Sequence, residues 1–467
     1  MKHRILIVIV IILCAVSAQA SETTLEFGPF GKITLYQATP RPSRVVLFVS
    51  GDGGWNLGVV DMARELTSLD AIVVGIDITR YLKSLKSGGE TCSYPAADFE
   101  ALSKYVQKKL NFSRYSLPVL AGYSSGATLV YAVLAQAPPN TFQGAISLGF
   151  CPDLPLTKPF CKGYGLEWQT GPRGKGISFL PFNRRPLPWI ALQGTIDQVC
   201  ESHATEAYVK QVTGGEIVML PNVGHGFSVP KNWMPQFKAS FLKILSGNHK
   251  DIRAASSPLL DLPLVELAPQ RSSSGPLAVI VSGDGGWAGI DRDIGSALSG
   301  QGLPVVGLNS LQYFWTRRTP EEASRDLARI LTHYLAYWKR ERVILIGYSF
   351  GADVLPFMVN RLPEPLRERV SLIVFLGLEE WIDFEFHLSD WLAGSSAGKG
   401  LPVLPEVRKL RGSKILCLYG EEENESPCRQ LDRNLAQSFV LRGGHHFGGD
   451  YEAIARIILN EWAVTEK

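Results

Sequence analysis

Two serines in this chain stand between glycines at a spacing that can make a nucleophile. Gly122-Tyr123-Ser124-Ser125-Gly126 follows the apolar run Val119-Leu120-Ala121, and Gly347-Tyr348-Ser349-Phe350-Gly351 follows Val343 to Ile346. A strand feeding a tight turn and then a helix holds such a serine exposed, and the flanking glycines relieve the crowding. A third match, residues 394–398, has no strand before it and is set aside. A serine hydroxyl attacks only when a histidine takes its proton and a carboxylate orients that histidine. In an α/β-hydrolase the order along the chain is serine, acid, histidine. The first set is Ser124, Asp197 and His225; the second is Ser349, Glu423 and His445. Counting from a shared glycine aligns Glu423 with Asp197, with Glu421 and Glu422 as alternative acids and His446 as the alternative base. His203, His249, His333 and His387 have no such partners and read as surface or packing residues. The negative oxygen formed during attack needs two backbone N–H donors, one after the nucleophile and one from an early loop. The loop Ser50-Gly51-Asp52-Gly53-Gly54-Trp55 and its counterpart Ser282 to Trp287 suit that task, giving Asp52 with Ser125 and Asp284 with Phe350.

The elements that must position these residues occur twice. The loop sequence SGDGGW is identical in the two places, and the offset between copies falls only from 232 residues (Ser282 against Ser50) to 220 (His445 against His225). The chain is therefore a tandem repeat of a unit of normal domain size. In the first copy the runs Val45–Val49, Ala71–Ile76, Pro118–Ala121, Ala145–Leu148, Trp189–Leu192 and Ile217–Leu220 read as buried parallel strands. The second copy repeats them with Ala278–Val281, Pro304–Leu308, Arg342–Ile346, Leu372–Leu376, Lys414–Tyr419 and Ser438–Leu441. Amphipathic stretches alternate with these runs. The predicted fold class is α/β: two tandem α/β-hydrolase-like domains, each a mostly parallel sheet with helices on both faces. The expected boundaries are 21–247 for the first domain, 248–257 for a polar linker and 258–467 for the second domain.

Composition is that of a globular protein, and the charge is too small to suggest a nucleic-acid binder: 467 residues, 45% hydrophobic, 19% charged, with a formal net charge of only +3. Residues 1–20 read as a cleavable signal peptide, with Lys2, His3 and Arg4 before an apolar run and Ala18-Gln19-Ala20 at the cut. Cleavage would take the chain to an oxidising compartment and leave six cysteines, an even number suited to disulfides. Cys417 with Cys428, and Cys151 with Cys161, are the expected local pairs. Zinc-type spacings are missing from the sequence, as are P-loop and dinucleotide glycine patterns after either first strand. The expectation is catalysis without metal or organic cofactor.

Taken together, SGDGGW, Gly307–Trp315 (GLNSLQYFW), Gly347–Pro356 (GYSFGADVLP), Asp383–His387 (DFEFH) and Gly443–Phe447 (GGHHF) resemble the AcvB/VirJ family of bacterial virulence proteins. The resemblance covers essentially the whole mature sequence. It implies a periplasmic α/β hydrolase that cleaves lysyl-phosphatidylglycerol to lysine and phosphatidylglycerol, with consequences for virulence or acid tolerance and a link to type IV secretion. The expected partners are an aminoacylated phospholipid at the membrane surface and secretion-system proteins, with no nucleic acid. Such a substrate asks for carboxylates and a cation. Glu379, Glu380, Asp383 and Glu385 are the acids expected to meet the lysyl ammonium, and Arg317 and Arg318 the cations expected to meet phosphate. Tyr313, Phe314 and Trp315 read as lipid-contacting or packing aromatics. The family motifs fall on the second copy, which makes Ser349 the first choice of nucleophile. The alternatives are a general periplasmic esterase or thioesterase, and a non-catalytic accessory protein of a secretion system.

Overall fold

The computed structural model describes residues 21–86, 91–247, 259–271, 273–387 and 400–465. The signal-peptide reading, Cys14, His249, the 248–257 linker and the 394–398 glycine–serine match all lie outside the described residues. The first sheet is built from β1 (Ser21–Phe27), β2 (Gly31–Gln37), β3 (Arg44–Val49), β4 (Ala71–Ile76), β5 (Val119–Tyr123), β6 (Gly144–Leu148), β10 (Trp189–Gly194) and β11 (Gly215–Leu220). Between β6 and β10 lie β7 (Asp153–Leu154), β8 (Trp168–Thr170) and β9 (Ile177–Phe179), which form a separate three-stranded sheet. The order of the large sheet is β1-β2-β4-β3-β5-β6-β10-β11, antiparallel at β1, β2 and β4 and parallel from β4 onward.

The second sheet contains β12 (Leu264–Leu267), β13 (Leu277–Val281), β14 (Val305–Leu308), β15 (Val343–Tyr348) and β16 (Val370–Leu376), and, after the short pair β17 (Trp381–Ile382) and β18 (Leu401–Pro402), β19 (Ile415–Gly420) and β20 (Gln437–Leu441). Its order, β12-β14-β13-β15-β16-β19-β20, repeats that of the first sheet without an outermost strand. Both sheets have the α/β-hydrolase order, with the nucleophile strand, β5 or β15, in the middle. Each sheet is covered on both faces, which is why its central strands are continuous apolar runs rather than alternating ones.

Three strands at or next to a sheet edge were not legible as parallel runs. β1, β2 and β12 pair antiparallel; the available signal was the period of two in Lys32-Ile33-Thr34-Leu35 of β2 and the turn at Gly28-Pro29, while β12 is only four residues, Leu264-Val265-Glu266-Leu267.

The disulfides correct one expectation. Cys417 pairs with Cys428, but Cys151 pairs with Cys200 and Cys92 with Cys161. Proximity in sequence misled because the loop after β6 and the loop after β10 lie side by side at one sheet end, which brings Cys151 and Cys200 together across 49 residues. Among the described residues, no helix is long and apolar enough to cross a membrane.

Candidate active site

Each nucleophile sits where steric necessity puts it. Ser124 has φ 55°, ψ −124° and Ser349 has φ 51°, ψ −122°, a backbone conformation that a non-glycine residue adopts only at a cost of about 1–3 kcal/mol. Both turns require their glycines. A Cβ on Gly122 would lie 2.1 Å from the carbonyl oxygen of Gly126, and one on Gly351 would lie 2.0 Å from that of Val281. The following helices, Ser125–Gln136 and Phe350–Asn360, start directly at the serine, so the N–H groups of Ser125 and Phe350 belong to a helix first turn that has no intrahelical acceptors. This is the placement expected of one oxyanion donor.

The SGDGGW loops are held at both ends. The Ser50 hydroxyl accepts from the Ile78 N–H at 3.1 Å, and the Ser282 hydroxyl accepts from the Ser310 N–H at 2.9 Å. Each tryptophan lies flat on a strand glycine: a Cβ on Gly75 would meet Trp55 at 2.2 Å, and one on Gly307 would meet Trp287 at 2.1 Å. The serine and tryptophan of the motif are thus anchors, leaving Asp52 and Asp284 on the loop beside the nucleophile elbow. A Cβ on Gly51, next to Asp52, would lie 3.0 Å from that of Ser124.

The first triad is fully hydrogen bonded. The Ser124 hydroxyl and His225 Nε2 are 2.9 Å apart, and His225 Nδ1 lies 2.9 Å from Asp197 Oδ2. Asp197 also accepts from Gln193 Nε2 and from the N–H groups of Val199 and Cys200. Although Asp197, Cys200 and His225 cluster like metal ligands, the Cys200 sulfur is committed to its disulfide.

The second triad has a tighter acid–base pair and an open nucleophile. His445 Nδ1 lies 2.6 Å from Glu423 Oε1, while Glu423 Oε2 accepts from the Gly420 N–H at 2.5 Å. Of the three neighbouring glutamates, Glu423 is the one bonded to the histidine; Glu421 instead accepts from the Gly443 N–H. His446 faces the Tyr348 hydroxyl at 3.2 Å. Among the described residues the Ser349 hydroxyl makes no hydrogen bond, yet Ser349, Glu423 and His445 line one cleft of about 900 Å³. Burial lowers the pKa of His445, but the bond to Glu423 and the charges of Glu423, Glu379 and Asp284 outweigh it and hold the pKa above the ordinary value. For Glu423, burial pushes upward and the His445 and Gly420 hydrogen bonds prevail, leaving its carboxyl below the usual range.

The cleft is acidic. Eight aspartate and glutamate side chains line it and, among the described residues, no lysine or arginine does. Burial raises Asp353 well above the usual carboxylate range, with its hydrogen bond from the Glu379 N–H pulling the other way. Asp284 is raised by burial, opposed by the Lys104 charge and reinforced by Glu100. Asp353, one helical turn beyond Ser349, was missed as a site residue because an acid in a helix first turn also reads as a response to the helix dipole.

Several expected ligands stand elsewhere. Asp383 and Glu385 line the cleft, but Asp383 is paired with His387 at 2.9 Å and Glu385 with Lys108 at 3.3 Å. His387 therefore lines the cleft instead of serving only as a surface or packing residue. Arg317 and Arg318 are outside the lining: Arg317 is 73% exposed, 3.6 Å from Asp383, and Arg318 lies over the Tyr313 ring. Glu380 is exposed and does not line the cleft. Tyr313, Phe314 and Trp315 are buried, which removes them from lipid contact; Trp315 stacks on Phe386 and donates to the Phe112 carbonyl across the domain boundary.

The family of the bacterial virulence protein VirJ matches residues 43–149 and 275–466, more than half of the chain. The chain belongs to the VirJ family. The matched segments contain both nucleophile elbows and both SGDGGW loops, but of the acid and histidine positions only Glu423 and His445. A comparison with curated proteins finds no match. Among solved structures, the chain is similar to an esterase domain from a Rhodothermus marinus protein, at 15% identity and TM-score 0.33 over 49% of this chain and 98% of that one. It is also similar to Est1E from Butyrivibrio proteoclasticus, at 15% identity and TM-score 0.33 over 48% and 98%. A third is the dienelactone hydrolase from Anabaena variabilis, at 17% identity and TM-score 0.34 over 50% and 98%.

Proposed function

We propose that the protein is a serine hydrolase of the periplasm that cleaves the aminoacyl ester of lysyl-phosphatidylglycerol at Ser349. The observation that carries this reading is the pairing of a nucleophile elbow and a His445–Glu423 dyad with a cleft lined by eight aspartate and glutamate side chains and, among the described residues, no lysine or arginine. Such a lining favours a cationic acyl group over a neutral or anionic one. In the first half-reaction, the Ser349 oxygen attacks the lysyl carbonyl carbon while His445 Nε2 takes the hydroxyl proton. Glu423 keeps the Nδ1 proton in place and stabilises the imidazolium. The N–H groups of Asp284 and Phe350 meet the oxyanion. Collapse of this intermediate breaks the ester bond, and phosphatidylglycerol leaves with the proton from His445. Water then enters, His445 removes its proton, and hydrolysis of the lysyl-serine ester releases lysine and restores the Ser349 hydroxyl. Arg317, exposed at the cleft rim beside Asp383, is the cation for the phosphodiester, while the Tyr313 ring keeps Arg318 from that role.

The test is release of free lysine from lysyl-phosphatidylglycerol vesicles by the purified protein and by Ser349→Ala and Ser124→Ala. Loss with Ser349→Ala alone supports the reading. Full release by both variants overturns the triad assignment. Cleavage of simple esters without lysine release overturns the substrate.

A further inference from the structure

The second domain does not enclose its cleft alone. Tyr94, Glu100, Pro138, Thr141 and Tyr164, all from the first domain, complete the lining around Ser349. The approach is close at the oxyanion loop. Asn140 Nδ2 donates to the Trp287 carbonyl at 3.3 Å, and a Cβ on Gly289 would lie 2.7 Å from the Tyr164 hydroxyl. The helix Pro95–Lys109 presents Glu100, Lys104 and Lys108 at intervals of four, on one face of the helix. That face is turned to the second domain: the Lys108 ammonium donates to the Trp315 carbonyl at 2.6 Å and pairs with Glu385, and Lys104 lies over the Phe386 ring. Lys104 is fully buried and 2.9 Å from Glu100 Oε1, which fixes the glutamate at the cleft wall with 19% of its side chain exposed. Among the described residues, Glu100 Oε2 has no hydrogen-bond partner.

Glu100 keeps one carboxylate oxygen open beside its Lys104 pair; of the seven other acids of the cleft, Asp284 and Glu379 act on His445, whose pKa their charges raise, and five are held by specific partners. Glu423 holds His445, Asp291 accepts from the Gly283 N–H that shapes the oxyanion loop, Asp353 accepts from Glu379, and Asp383 and Glu385 carry cationic or histidine partners. Glu100 lines the same cleft as Ser349 and does so from the opposite domain. We propose that Glu100 of the first domain is a specificity residue of the second domain's active site and receives the side-chain ammonium of the cationic acyl group. The domain repeat then has a catalytic purpose: one copy carries the chemistry and the other reads the substrate. This assignment rests on the proposed aminoacyl-ester reaction at Ser349.

The experiment compares lysine p-nitrophenyl ester with norleucine p-nitrophenyl ester, which has the same α-amino group and no side-chain charge, using full-length protein and its Glu100→Gln and Glu100→Asp variants. A hydrogen-bonded ion pair in a partly buried site is worth about 1.5–3 kcal/mol, so Glu100→Gln is expected to lower kcat/KM for the lysine ester by roughly 10- to 100-fold, mainly through KM. The norleucine ester should change less than about 2-fold on the same scale, and Glu100→Asp should restore part of the discrimination. An equal fall for both esters would show that Glu100 only supports the fold, and no change for either would show that the ammonium binds elsewhere; both outcomes overturn the proposal. Wild-type hydrolysis of these soluble esters without lysine release from the lipid would instead overturn the lipid substrate and leave the Glu100 comparison readable.

Discussion

The two domains hold the same candidate triad in different states. In the first, the serine is bonded to its histidine, the histidine to Asp197, and Asp197 is saturated by three further donors. In the second, the acid–histidine bond is shorter, the serine is free of the histidine, and the pair is more open, with 32% of the His445 side chain exposed against 17% for His225. A completed hydrogen-bond chain is evidence of preserved geometry, whereas an acidic cleft shared between two domains is evidence of a substrate. The resting bond between serine and histidine is a poor discriminator, because such bonds are often loose until substrate arrives. Around Ser349 the acidic side chains and the enclosure come from both domains.

That contrast is most directly broken by removing each serine. Ser349→Ala is expected to reduce lysine release by roughly 10⁴- to 10⁶-fold, the range for loss of a triad nucleophile, while Ser124→Ala leaves it within about 2-fold. A vesicle assay with both variants decides which domain works. Glu423→Gln should cost roughly 10²- to 10⁴-fold in kcat, because His445 loses both its orientation and its countercharge. The same variant sharpens the electrostatic comparison. His445 must be neutral to accept the serine proton, and its pKa is raised, so activity should fall as pH drops through a value above 6.5. In Glu423→Gln the residual activity should persist to lower pH, since the bond and charge that raise His445 are gone; a pH–rate profile of kcat/KM measures the shift.

A smaller effect is expected from the glycine behind each histidine. A Cβ on Gly377 would come within 2.6 Å of His445, whereas one on Gly149 stays 3.3 Å from His225. Both glycines have positive φ, so Gly377→Ala and Gly149→Ala share the backbone penalty of about 1 kcal/mol or more. Only Gly377→Ala should also displace the catalytic ring, lowering kcat by roughly 10- to 100-fold at similar thermal stability, by analogy with the cost of a 1 Å misplacement. The smallest expected effect concerns the staples. Cys417–Cys428 brackets the loop bearing Glu423, and Cys151–Cys200 fixes the loop bearing Asp197. Paired serine substitutions at 417 and 428 should lower stability by about 2–4 kcal/mol and reduce turnover, and those at 151 and 200 should lower stability alone, as read from denaturant unfolding beside the lysine assay.

Much of this was legible from residue types. The elbows, the SGDGGW loops and the order serine, acid, histidine are local requirements, because a strand-to-helix turn tolerates only glycine at positions where a Cβ would strike a carbonyl. Buried parallel strands announce themselves as apolar runs, so the interior of both sheets could be read, while the antiparallel strands β1, β2 and β12 could not be read in the same way. Glu423 was recoverable by counting from Gly420. The disulfide partners of Cys151 and Cys161 were not, because loops at one sheet end become neighbours regardless of their distance along the chain.

Residue chemistry and spacing by themselves determined the duplicated domain, its fold class and two candidate triads. Tertiary structure alone decided that Arg318 stacks on a tyrosine, that Trp315 seals a domain boundary, and that Glu100 joins Ser349 across 249 positions of sequence (349 less 100). The reason is physical: hydrophobic period and turn sterics act within a few residues, whereas the packing of one folded domain against another depends on surfaces that exist only after each sheet has closed its own core.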